Sequence, residues 1–172
     1  MEDKEVIEWL KKYFSQPKLD VKNIKPVLHF TLLWNLFEHI TPQEIKLPYN
    51  EILRSLANKY YKVISDKTLD KIYNYFKKRY VKDNEINTLF YKLLFKKKES
   101  EECQNILLSD NTNKEDKLTC VLLIIYRFRN NLFHGSKNPT TLNLYSGQFK
   151  IINKFLMGFI EATADKNGLR KN

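Results

Sequence analysis

Arg127, Arg129, Asn130, Asn131 and His134 fall within eight consecutive residues of a 172-residue chain that holds only five arginines and three histidines. These side chains supply fixed cations, amide hydrogen-bonding groups and an imidazole that titrates near neutrality. Such a set suits work on a phosphodiester. The imidazole of His134 would move a proton, while the guanidinium of Arg129 would stabilise charge building on the non-bridging oxygens. In RNA the 2′-OH would attack the adjacent phosphorus, leaving a 2′,3′-cyclic phosphate and a 5′-OH. Asn130, one turn before His134, would orient the imidazole or donate to phosphate. Arg127, Asn131 and Lys137 are the further candidates for holding RNA.

The element that must position these groups is a long helix expected from Lys114 to His134, capped by Asn113. Its segment Cys120–Tyr126 (CVLLIIY) is the most apolar in the chain and reads as buried on most sides. At 100° per residue Leu118, Leu122, Ile125, Arg129 and Leu132 form one stripe, with Arg129 inserted in an apolar face. A guanidinium there needs a partner or a cleft. Arg127, Asn130, Asn131, His134 and Lys137 form a second, polar sector. Two readings follow. Either Arg129 and His134 converge on a shared cleft, or Asn131, His134 and Gly135 merely cap the helix while Arg129 pairs with a core carboxylate. Glu38, one turn after Trp34, would pair with Arg129 or set the tautomer of His134; the alternative is an exposed glutamate at a helix end.

Composition sets the frame. The length fits one domain with a proper core, and 42% hydrophobic with 13% aromatic residues place the chain among folded proteins. Four glycines and five prolines leave room for helices joined by short connections. Apolar spacing predicts eight helices: 2–14, 26–40 with Pro26 in its first turn, 49–63, 67–80 capped by Asp66, 84–97 capped by Asp83, 100–108, 114–134 and about 141–164. No segment alternates as a half-buried strand does. The expected class is an all-α single domain over residues 1–172, with 1–20 as a peripheral helix.

The net charge of +10 points toward a polyanion such as nucleic acid. A lysine-, asparagine- and isoleucine-rich composition offers a mutational explanation for the same excess. Aromatics between Tyr60 and Tyr80 recur at helical spacing, so packing accounts for most of them. Cys103 and Cys120 have no C-x-x-C spacing and read as reduced thiols. His29, His39 and His134 lack acid or thiol partners at metal-ligand spacing, so neither a metal nor a cofactor is expected. There is no glycine-rich phosphate loop, no G-x-S-x-G and no Cys–His pairing. No signal peptide is read at Met1–Lys4 and no apolar run has the length of a membrane span, so a cytoplasmic protein is expected.

Arg129-Asn130-x3-His134 resembles the R-x4–6-H signature of the HEPN superfamily, whose arginine is typically followed by Asn, Asp or His. The flanks agree: the motif ends a long apolar helix, Gly135-Ser136-Lys137 follows, and another apolar helix succeeds it. Phe30-Thr31-Leu32-Leu33-Trp34-Asn35-Leu36-Phe37-Glu38 is similar to the early aromatic helix of several bacterial HEPN groups. Residues 49–108 lie outside the resemblance. It implies a helical bundle that forms a homodimer with facing motifs, acting as a metal-independent ribonuclease of a toxin–antitoxin or antiphage defence system. An antitoxin or a defence-complex protein would then be a further partner. The same family contains inactive RNA-binding and protein-interaction domains, which is the alternative.

Overall fold

Every residue from Cys120 to Ile125 is 0–1% exposed, so neighbours must enclose this stretch of helix on all sides. The computed structural model, which describes residues 3–14, 21–40, 47–133 and 144–164, places it in the helix α7, Lys114–Phe133. Three helices pack directly on α7: α3 (Tyr49–Tyr60), α4 (Asp66–Tyr80) and α6 (Lys97–Leu108). A second layer pairs α2 (Val21–Ile40) with α8 (Ser146–Ala164). The layers are joined through aromatic rings, with Phe149 of α8 between Phe30 at 4.9 Å and Phe128 of α7 at 5.8 Å. The fold is all-α, as the apolar spacing predicts. The helix α1 (Asp3–Phe14) lies against α2, where Ile7, Leu10 and Ile24 make a small cluster of their own.

Local signals explain several boundaries. Asn113 caps α7 as expected: its Oδ1 accepts from Asp116 N at 2.8 Å and its Nδ2 donates to the Asp116 carboxylate at 2.8 Å. At α4 the cap position is Ser65, and Asp66 instead sits in the first turn, ion-paired with Lys114. The helix α2 begins five residues before Pro26, which therefore lies inside it rather than in the first turn. The Pro26 carbonyl accepts from Asn153 Nδ2 at 2.8 Å, tying α2 to α8.

The helix expected over 84–97 does not form. Asp83 and Asn84 both take positive φ, 52° and 59°, and close a hairpin between β1 (Val81–Lys82) and β2 (Glu85–Ile86). Asp-Asn fits such a turn because short polar side chains tolerate the left-handed region. Asn87 then starts the single-turn helix α5 (Thr88–Tyr91): it accepts from Leu89 N at 2.9 Å and donates to Arg79 O at 2.8 Å. Tyr60, Tyr73, Phe76 and Tyr80 are buried and Tyr61 and Tyr75 partly so, so most of the aromatic run is core. Cys103 and Cys120 are buried free thiols. A hydrogen bond with Cys120 and then burial hold Cys103 well above the usual thiol range, which makes it unreactive.

Phe149 joins the two layers with no exposed surface. Phe149→Ala is expected to lower stability by about 3–5 kcal/mol, measured by urea unfolding.

Candidate functional site

The last two turns of α7 send their polar side chains in two directions. Arg127 and Asn131, four residues apart, share a side. Arg127 Nε donates to Leu93 O at 2.9 Å, and Asn131 Nδ2 donates to Leu93 O at 3.2 Å and Lys92 O at 3.3 Å. These carbonyls belong to the turn that leaves α5, where Leu94 takes a φ of 57°. A branched side chain in that region costs about 1–2 kcal/mol, and the hydrogen bonds on both preceding carbonyls hold the turn against it. Burial pulls the Arg127 guanidinium below its ordinary value, opposed by Tyr126 and Glu99. The structure thus gives Arg127 and Asn131 backbone partners within the fold.

Arg129 faces the other way, toward α2. Its Nη2 lies 3.6 Å from Glu38 Oε1, and both side chains are 28% exposed. Its Nη1 donates to Asn130 Oδ1 at 3.3 Å, and the guanidinium rests 5.3 Å from the Phe133 ring centroid. Among the described residues Arg129 Nε has no acceptor. Leu118, Leu122 and Ile125 of the same stripe are fully buried, whereas Leu132 is half-buried. Arg129 therefore emerges where the stripe leaves the core, and Glu38 answers its charge there. Both arrangements raised by the sequence need His134; it and Lys137 lie outside the described residues.

Asn130 connects this pair to a cavity of about 220 Å³ lined by Tyr49, Asn50, Phe95, Glu99, Tyr126 and Arg127, among others. Asn130 is itself part of the lining and 9% exposed. The rings of Tyr49 and Tyr126 lie 4.8 Å apart, and Tyr126 also stacks on the buried Trp34. Phe95 carries the Arg127 guanidinium 6.0 Å from its centroid. Glu99 is 8% exposed; its Oε1 accepts from Asn50 Nδ2, while its Oε2 has no partner among the described residues. Glu99 sits at the start of α6 and Asn50 at the start of α3. Their separation is fixed by Arg54 of α3, whose Nε lies 3.0 Å and 3.1 Å from the two Glu102 oxygens, with Glu51 at 2.9 Å from its Nη1. Hydrogen bonding to Glu102 raises the Arg54 pKa further above its ordinary value.

Sequence reading finds the α7 residues because they are contiguous. It misses Tyr49, Asn50, Phe95 and Glu99, which come from two distant segments and carry no spacing signal. Among the described residues no three or more His, Cys, Asp and Glu side chains form a group that could hold a metal ion. No helix among them is long and apolar enough to cross a membrane.

Asn131 is 3% exposed and bonds two carbonyls, so Asn131→Leu is expected to cost about 1–3 kcal/mol by taking the donor from Lys92 O and leaving Leu93 O to Arg127 alone. Glu38→Gln, at a half-open ion pair, should change stability by no more than about 1 kcal/mol. Parallel urea titrations of the two variants check the contrast.

No protein-family model matches the chain, and no curated protein and no solved structure is significantly similar to it, so its site is defined by its own geometry.

Proposed function

We propose that the chain is a HEPN-like, metal-independent RNA endonuclease of a toxin–antitoxin or antiphage defence system. The observation that carries this reading is the setting of Arg129. It projects from a rigid, buried helix, is partly open to solvent, and stands five residues before His134. The Glu38 contact at 3.6 Å restrains the guanidinium without the short bidentate geometry that would commit it. A phosphate arriving at the half-open side would gain charge-assisted hydrogen bonds from Arg129, with Asn130 Oδ1 fixing the direction of the fork. His134 would carry the proton between the 2′-OH and the leaving 5′ oxygen. The net charge of +10 favours encounter with RNA. The reaction would run in the cytoplasm, with an antitoxin or defence-complex protein as regulator.

A second reading is a silent HEPN-like module that binds RNA or protein. The observation favouring it is Glu38 itself, whose carboxylate partly neutralises Arg129 and repels phosphate.

The dimer belongs to the same proposal. The helix α2 exposes Leu28, Leu32 and Leu36 at four-residue spacing, with Leu32 71% exposed, on the element that also carries Glu38. A second copy is the fitting occupant, because a two-fold contact pairs the same patch with itself and joins two Arg–His sets. Leu32→Glu is expected to shift the protein from dimer to monomer in light scattering at tens of micromolar, a concentration that populates a dimer of micromolar affinity. A wild type that is monomeric there removes the dimer.

Purified protein incubated with RNA in EDTA should leave cyclic-phosphate ends and should spare DNA, which lacks the 2′-OH. Arg129→Ala and His134→Ala should each lower cleavage by roughly two orders of magnitude or more, with the melting profile preserved. Loss of cleavage in EDTA, or full activity of His134→Ala, overturns the mechanism. A wild type that cuts no RNA leaves the binding-module reading.

A further inference from the structure

We propose that the cavity beside Asn130 is a recognition pocket for a guanine base of single-stranded RNA. The inference rests on the RNA-directed reading above and names the base that the same site selects. Its starting point is the Glu99 carboxylate, a cavity-lining group 8% exposed, with one oxygen bonded to Asn50 and the other without a partner among the described residues. A buried acceptor left in this state is costly unless a donor reaches it. The cavity is where a donor can arrive.

The chemistry of the lining selects among donors. Tyr49, Phe95 and Tyr126 are half-buried, so each contributes an aromatic surface to the cavity while remaining anchored in the core. Unstacked RNA bases bind such surfaces by stacking and are then read along their Watson–Crick edges. The volume of about 220 Å³ lies below the roughly 300–1,000 Å³ of pockets that enclose drug-sized ligands, and suits one base. On its Watson–Crick edge only guanine among the four RNA bases presents two adjacent donors, N1–H and the N2 amino group. Those two reach two oxygens of one carboxylate. Glu99 Oε2 is open to one of them, and Oε1 keeps a second lone pair beside the one used by Asn50. Adenine and cytosine set a ring acceptor beside their single amino group, and that acceptor would face the carboxylate. Uracil offers one N–H between two carbonyls. The guanine O6 acceptor next to its donors would meet the cationic part of the lining, Arg127 and Lys96.

The connection to catalysis runs through Asn130, which lines the cavity and accepts from Arg129. A base seated against Glu99 would therefore bring its own ribose-phosphate toward the Arg129 side. Arg54 supports the pocket from outside it by bridging Glu51 and Glu102, which keeps α3 and α6 at the spacing the two walls need.

The test is titration of the whole protein with 5′-GMP, IMP, AMP, CMP and UMP, followed by intrinsic fluorescence. GMP should bind about ten- to hundredfold more tightly than AMP, CMP or UMP, the discrimination of one bidentate pair. IMP, which keeps N1–H and lacks the amino group, should fall between. Glu99→Gln should bring GMP down to the level of AMP while its melting temperature holds or rises, since a purely structural carboxylate would lower it when replaced. The comparison of GMP with IMP needs no variant and decides the matter by itself should Glu99→Gln fold poorly. Inorganic phosphate should not displace GMP; displacement would assign the affinity to the cations of the lining. The trinucleotide ApGpA binding more tightly than GMP places the ligand in RNA, and free GMP binding more tightly places it in the nucleotide pool and overturns the RNA assignment. Equal affinity for GMP and AMP, or undiminished GMP binding by Glu99→Gln, overturns the pocket. Mononucleotide binding judges the pocket and cleavage in EDTA judges the ribonuclease, so the two readings fail separately.

Discussion

The middle of α7 is enclosed on every side, and its burial dictates where polar groups of that helix can stand. Six successive residues, Cys120 to Ile125, have almost no contact with solvent, and a helix buried on every side has no face left for a polar group. Polar side chains are thereby displaced to its ends. At the beginning stand Glu115 and Asp116, suited to the helix dipole. At the other end stand Arg127, Arg129, Asn130 and Asn131, each of which must find a partner as the core thins. The neighbours required to enclose α7 are also the elements that supply those partners.

Two residues along a helix turn the side chain by about 200°, and this separates the two arginines. Arg127 meets the Leu93 carbonyl of the turn after α5, helped by Asn131 one turn on. Arg129 meets a carboxylate of α2 across a half-open boundary. The first arrangement fixes a strained turn that presents Phe95 and leads into α6; the second leaves a guanidinium oriented and approachable. Asn130 lies between them and touches both environments, through Arg129 on one side and the cavity on the other. One arginine is thus committed to the fold and the other left half-open on the same helix.

In a chain with net charge +10, a buried carboxylate has significance beyond its own hydrogen bonds. Glu99 and Glu102 are one turn apart on α6 and serve different ends. Glu102 is taken up by Arg54 in a bidentate pair that sets the distance between α3 and α6. Glu99 is held by an amide at one oxygen, and its other oxygen has no partner among the described residues. Rigid support next to an unsatisfied acceptor is the arrangement expected of a preorganised site, in which the scaffold and not the ligand bears the cost of alignment.

Features that depend on periodicity and nearest neighbours were legible before any fold was known. Apolar spacing gave the all-α class, the place of Arg129 in an apolar stripe and the burial of Cys120–Tyr126, of which only Tyr126 is half-buried, and Asn113 read correctly as the cap of α7. Glu38 was legible as a partner for Arg129 only as one of two alternatives, because periodicity does not say how two helices face each other. The failures have the same origin. Acid–amide pairs such as Asp83-Asn84 serve both helix caps and hairpin turns, and here both residues take positive φ in a hairpin that the bonds of Asn87 to Tyr80 O and Arg79 O close. The cavity was invisible because it joins residues such as Asn50 and Glu99, 49 positions apart. Only tertiary packing decides such meetings: helix formation is governed by residues three and four apart, whereas which helix ends converge is set by how the whole core closes.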